Sequence, residues 1–360
     1  MKKLKNSYDI NKALSKKRLG GALLLPTGEY TADCPILIDT PSLRLQGEVW
    51  AYNLDPNGVF ETRYGTKIRL KGKKHPAISI GSQGIPAGCM ISDIGIQGDI
   101  IGMDTRGLFD ILKPYASAGL YFGLNRIDQG DFSKISCCGL AVGVSCAENS
   151  EIDACDFRKI NVDGNCLGMY FAPRASYYAR FHRCIVADTP SYGFLGEGTG
   201  ASIHDLSITD THFVRNSGAN HFTDMEHAAV LWKDISACTF KDNLVDDPGT
   251  FWYFEPTATD NSDKTVYKSR AIGLYVIGNE NRILGNIFSH SSRESILLKG
   301  KGNLLMNNIA DSDVVIEGEQ NTVNGLTFTT ESARLILKGS AARNCSVLGV
   351  EPDRIMRVLD

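Results

Sequence analysis

One feature limits what this chain can fold into more than any other: a phrase that returns through its last third. The segments IGNENRILGNIF (277–288), LKGKGNLLMNNIA (298–310), IEGEQNTVNGLTF (316–328) and LKGSAARNCSVLG (337–349) share one plan. Each carries a glycine, then an asparagine, then an apolar pair or its near equivalent. The asparagines stand at 281, 303, 321 and 344, at intervals of 22, 18 and 23 residues. Upstream, apolar anchors recur at Phe132, Phe157, Ile185, Phe213 and Phe240. Self-similarity at such a period marks a unit that cannot bury its apolar face alone and stacks on its neighbours.

Between the anchors lie short runs of period two, such as GLAVGVS, SIHDLSI, AAVLWKDI and RLILKG, separated by glycine, asparagine and aspartate. Period two over three to five residues reads as strand, and the punctuating residues read as turns. A coil of about 20–25 residues made of short strands predicts an all-β chain, a parallel β-helix solenoid whose coils pair at about 4.8 Å. Asparagine at a repeated corner is expected to take a left-handed backbone and to bond the next coil. A leucine-rich repeat would need an LxxLxL pattern that is missing, and a β-propeller a longer blade. Residues 1–19 read as a short helical cap, 20–350 as one β-helix domain, and 351–360 as a tail. The stretch 246–273 reads as a long inserted loop that extends one coil to 48 residues between Phe240 and Phe288.

Composition narrows the function classes. With 38 basic residues against 41 acidic ones and a net charge of −3, no global positive field draws in nucleic acid or anionic membrane. The opening MKKLKNSYDINKALSKKRLGG has basic residues but no apolar run behind them, and no stretch is long enough to span a bilayer, so a cytoplasmic protein is expected. Ten cysteines sit mostly beside small residues in strand-like segments and read as buried apolar fillers of a reducing compartment. The only close pair is Cys137–Cys138, which lacks zinc-ligand spacing. GxSxG, Walker and HExxH signatures are absent.

The phrase GGALLLPTGEYTADCPILIDTPSLRLQGE (20–48) resembles the opening of many pectate-lyase-like right-handed parallel β-helix proteins. Within that superfamily the layout is most similar to the inulin fructotransferase and difructose-anhydride hydrolase family. GLAVGVSCAENSEIDACDF (139–157), VDGNCLGMYF (162–171), WYFEPTATDNSDK (252–264) and GLYVIGNENRILGN (273–286) carry the likeness. The resemblance implies a homotrimer with an oligosaccharide substrate near subunit contacts, an acidic pair doing the chemistry, and no cofactor. The family's pair does not carry over directly. Asp156 and Cys166 are kept, but Gly168 or Met169 stands where a glutamate belongs.

Stacked coils bring equivalent positions side by side, so the acids of neighbouring rungs become the candidates. Taking Cys166–Phe171 as one rung, 193–200 and 221–227 follow, which makes Tyr170, Glu197 and the Asp224/Glu226 pair vertical neighbours. Two carboxylates facing a sugar supply the acid and the base of glycosyl transfer. Glu197 lies in GEGTG, whose glycines leave room for a ligand against the backbone. HFTDMEH (221–227) joins Asp224 and Glu226 with His221 and His227, which suit sugar hydroxyls; the same segment also reads as a polar turn, or less well as a metal site. Asp156 is the candidate among Asp153, Asp156 and Asp163. Arg174 and Arg180, with Tyr177 and Tyr178, suit hydroxyls or a carboxylate, or simply form an outward strand face. Trp252 and Tyr253 suit a sugar ring or a subunit contact.

The function expected is carboxylate acid/base chemistry on fructose-containing oligosaccharides, by intramolecular fructosyl transfer that forms a difructose dianhydride or by hydrolysis of one. A polyuronide lyase or epimerase is the alternative, and a non-catalytic sugar-binding or structural β-helix is the third.

Overall fold

Runs of three to eight residues are too short to bury a face alone, and here each finds its partner one coil away. The computed structural model describes residues 4–17, 19–52, 65–72, 74–98, 117–198, 202–216, 227–254 and 264–358. Among these, the strands form sheets of twenty, twelve and four strands, with successive coils paired in parallel, and one antiparallel two-stranded hairpin. The solenoid is a parallel β-helix, as the repeat predicts.

The core lies between the sheets and is built as columns. Phe132, Phe157 and Phe181 occupy paired positions, with ring centroids 5.1 and 4.4 Å apart in stacked geometry. Ile208, Phe240, Ile283, Leu305 and Val323 continue that column. A second column runs Val162, Val186, Phe213, Val245, Phe288. The anchor series read from the sequence therefore mixed two columns, because from Arg180 onward each coil puts two short strands into the twenty-stranded sheet. Ile185 belongs to neither: it faces outward beside the core residue Val186. Phe240 pairs with Ile283 rather than Phe288, so the coil with the insertion is 43 residues long.

The asparagines act as expected toward the next coil but not in their own backbone. Asn281, Asn303 and Asn321 are fully buried. The backbone N–H of Asn281 donates to Asn303 Oδ1, and that of Asn303 to Asn321 Oδ1, both at 2.9 Å. The left-handed residue is the one before each: Glu280, Gly302 and Gln320. Asn344 is not a rung; it ends a 3-10 turn, Ser340–Asn344, and the register carries Cys345 under Asn321. A second ladder links Thr211, Asn243, Asn286 and Asn308 in the same way. Buried side-chain amides of this kind satisfy corner backbone groups that would otherwise be orphaned.

The ends also follow from sequence. The helix Ser7–Leu14 begins at Asn6, whose side chain accepts from Asp9 N–H, and it lays Ile10 and Leu14 over the open core. Asn11 pins it to the first coil through Pro35 O and Leu37 N–H. Residues expected as a tail contribute Ile355–Val358, the last strand of the twelve-stranded sheet. The insertion has structure of its own: Thr250–Phe254 pairs antiparallel with Lys264–Lys268. All ten cysteines are free thiols and nine are buried; burial pushes Cys155, Cys184 and Cys238 up to about 12. No helix of the described residues is long and apolar enough to cross a membrane.

Candidate active site

Alternation along the twelve-stranded sheet sends every second side chain away from the core. At paired positions the outer face presents Tyr121, Ser145, Tyr170, Leu195, Leu231, Tyr275, Leu297 and Val315. Two residues further along the strands runs a column of charged residues interrupted by Ile277: Glu197, Lys233, then Lys299, Glu317 and Lys338. Glu197 stands where the two columns meet.

Tyr170 is 8% exposed, and its hydroxyl donates to Glu197 Oε2 at 3.3 Å. Lys233 Nζ lies 3.5 Å from the other oxygen, Oε1. The carboxylate thus has a neutral donor on one oxygen and a cation on the other, and its side chain keeps 24% of its surface open. Burial, then the charges of Glu197 and Glu148, push the Tyr170 phenol far above its ordinary value, and the bond to Glu197 adds to this. The phenol is therefore a fixed proton donor over the physiological range. Glu317, in the same charged column, makes a useful contrast: it is gripped by Lys338 at 2.9 Å and Lys299 at 3.4 Å. Two lysines on one acid describe a structural ladder, whereas a phenol and one lysine leave a carboxylate with capacity for another hydrogen bond.

The glycines around Glu197 have a packing reason rather than a ligand one. A Cβ on Gly196 would stand 2.6 Å from Ile235 Cδ1, and one on Gly198 only 2.1 Å from the Asp234 carbonyl oxygen. Close approach of the next coil requires both.

The register corrects the expected acidic rung. Glu197 pairs with Lys233, not with an acid of 221–227. His227 precedes the strand Ala228–Lys233, and its carbonyl accepts Ile272 N–H at 2.7 Å. Six residues at about 3.3 Å each put His227 roughly 20 Å along the strand from Lys233. Asp224, Glu226 and His221 lie outside the described residues. Trp252 and Tyr253 fall on the hairpin strand Thr250–Phe254, paired with Val266 and Thr265.

Asp156 and Arg174 are not brought to Glu197's sheet. Asp156 is on the twenty-stranded sheet, bridged by Arg180 Nε at 2.7 Å and Nη2 at 3.3 Å. Arg174 pairs with Glu151, and Arg183 with Asp210. The arginines that the sequence offered to a uronate carboxylate are thus all engaged by acids of this chain. Sequence reasoning missed Lys233 and Glu148. Alternation in AAVLWK signals an outward lysine, but only the strand register puts it under Glu197. Among the described residues no group of three His, Cys, Asp or Glu is placed to hold a metal ion.

No protein-family model matches the sequence, and no curated protein matches it. Solved structures do. DFA-IIIase from Arthrobacter chlorophenolicus A6, without its lid, aligns over 100% of this chain and 96% of its own at a TM-score of 0.66 and 12% identity. The chain shares its fold with DFA-IIIase. The same enzyme in complex with GF2 aligns over 98% and 94% of the two chains at a TM-score of 0.65 and 12% identity. Its complex with DFA-III gives a TM-score of 0.55 over 97% and 82%, at 13% identity. The DFA-IIIase likeness extends from end to end, so the coils that carry Tyr170, Glu197 and Lys233 belong to the shared solenoid.

Proposed function

We propose that this chain is a carbohydrate-active enzyme for fructose-containing oligosaccharides, one that forms a difructose dianhydride by intramolecular fructosyl transfer or hydrolyses one. The observation that carries the reading is Glu197: an accessible carboxylate on the outer face of the solenoid, oriented by the Tyr170 hydroxyl at 3.3 Å and paired to Lys233. The end-to-end likeness to an enzyme solved with GF2 and DFA-III supports the substrate class.

In this reading Glu197 takes the proton of the attacking hydroxyl, whose oxygen bonds to the anomeric carbon as the bond to the departing oxygen breaks. A second carboxyl group, protonated at the start of the step, gives its proton to that oxygen and is left ionised. Glu148, whose charge reaches the same phenol, is assigned this role. Tyr170 holds the Glu197 carboxylate toward the sugar, and Lys233 stabilises its charge. The assembly proposed with this site is a homotrimer, read by sedimentation.

Incubation with inulin, difructose anhydrides and polygalacturonate, followed by chromatography, tests the reading. Fructan products without a rise in ultraviolet absorbance are expected. An unsaturated product from polygalacturonate would assign the protein to uronide elimination, and no product from any of the three would assign it to binding alone.

A further inference from the structure

The four-stranded sheet presents a column that the chemistry at Glu197 does not use. Its strands Arg126–Asp128, Glu151–Asp153, Ala175–Tyr177 and Ser202–His204 stack in register, so Asp128, Asp153, Tyr177 and His204 follow one another. The middle residues Ile127, Ile152, Ser176 and Ile203 are buried, which turns this column outward. Tyr177 and His204 stack, with ring centroids 6.2 Å apart and planes 29° from parallel. Tyr177 nonetheless leaves 42% of its surface open, and Tyr178 beside it leaves 60%.

Tyr178 also occupies an unfavourable place. It takes φ +58° at a corner filled in neighbouring coils by Gln129, Ala154 and Asp205. A bulky ring in the left-handed region costs backbone energy that aspartate or glycine would avoid, so the backbone does not explain a tyrosine there. Charged pairs frame the rings. Arg126 bridges Asp153 at 2.6 Å, Arg180 bridges Asp156, and Arg174 bridges Glu151. Open aromatic faces bordered by fixed carboxylates and guanidinium groups match one ligand chemistry: rings with an apolar C–H face and a rim of hydroxyls.

We propose that Tyr177, Tyr178 and His204 form a surface site for a neutral oligosaccharide chain, distinct from Glu197 and on a different sheet. It rests on the sugar-acting reading above and names a second place where such a ligand is held, with the chain laid across coils about 4.8 Å apart.

The test is electrophoresis through native gels cast with and without inulin. The protein carries Glu197→Gln, so that turnover does not consume the polymer. Inulin is expected to retard this protein, and adding Tyr177→Ala or Tyr178→Ala is expected to weaken retention on the order of tenfold, the loss of one ring contact. Tyr177→Phe, which keeps the ring, is expected to retain it. Should Tyr177→Ala fail to fold by circular dichroism, the more exposed Tyr178→Ala carries the comparison. No retardation of the parent, or equal retardation of the alanine variants, overturns the site. Turnover of inulin by the unaltered protein is read separately. Its loss with retention intact contradicts the assignment at Glu197 alone, and its presence without retention contradicts this proposal alone.

Discussion

The Tyr170 hydroxyl donates to Glu197 Oε2 across a coil boundary, joining residues 27 apart in sequence. The bond lies on the outer face of the sheet, where it contributes nothing to the core columns. Its consequence is to leave the carboxylate oriented and still partly open.

Tyr170→Phe removes that donor and keeps the ring. The kcat for fructan turnover is expected to fall on the order of 10- to 100-fold, the range for a hydrogen bond to a charged group, with the thermal midpoint little changed. The phenol adds a pH signature. Its pKa is raised in the folded chain above the ordinary value of about 10, so its contribution to stability is complete below that value and is lost as pH rises through the folded one. Denaturant unfolding of the two proteins should give a constant difference up to about pH 10. Above that, the wild type should lose up to about 1.4 kcal/mol per pH unit relative to the variant. A difference that stays constant above about pH 10 would contradict the buried phenol.

Asn303→Ala tests the ladder. Its amide accepts from Asn281 N–H and donates to Gly278 O and Asn321 Oδ1, all at 2.9–3.0 Å and largely sealed from water. Truncation leaves these groups unpaired, and a loss of about 2–4 kcal/mol is expected from denaturant midpoints. A loss below about 0.5 kcal/mol would mean that corner backbone groups find other partners.

Asp246 and His290 set a weaker dependence. Burial raises Asp246, but the bonds from His290 and Ser289 outweigh it and hold the carboxyl below its usual range, while the bond to Asp246 raises His290. The histidine's share of stability is full below about 6.5 and lost as pH rises through its raised value. The aspartate's share is present above about 3.8 and lost as pH falls through its lowered value. His290 is 77% exposed, so screening keeps the pair within about 1 kcal/mol. His290→Gln should lower stability between those limits by that amount and remove the decline above about 6.5, and an unchanged profile would show the pair idle.

The solenoid was legible because inward positions must be apolar in every coil, and a period of that kind survives changes of residue. Tyr170 beside Glu197 was legible too, since a single coil of 25 residues, the same length as the one before it, separates their strands. Lys233 was not. Met169 pairs with Phe194 at an interval of 25 residues, but Phe194 pairs with Val230 after 36, because an inserted stretch precedes the strand. Counting at a constant interval put HFTDMEH where AAVLWK lies. The same uncertainty hid the two columns behind the anchors Phe157, Ile185 and Phe213. An apolar residue beside a turn does not declare which of two short strands it belongs to. The left-handed corner was misassigned by one residue because the asparagine's work is done by its side chain, while Glu280 and Gln320, poor predictors of a turn, take the strained backbone.

The most direct measurement is turnover of inulin and of difructose anhydride by Glu197→Gln, an isosteric change that removes the charge and the base but keeps the side chain's shape. If this carboxylate does the chemistry, kcat falls on the order of a thousandfold or more while circular dichroism and the thermal midpoint stay those of the wild type. A folded Glu197→Gln protein that turns over both sugars at the wild-type rate would contradict the account.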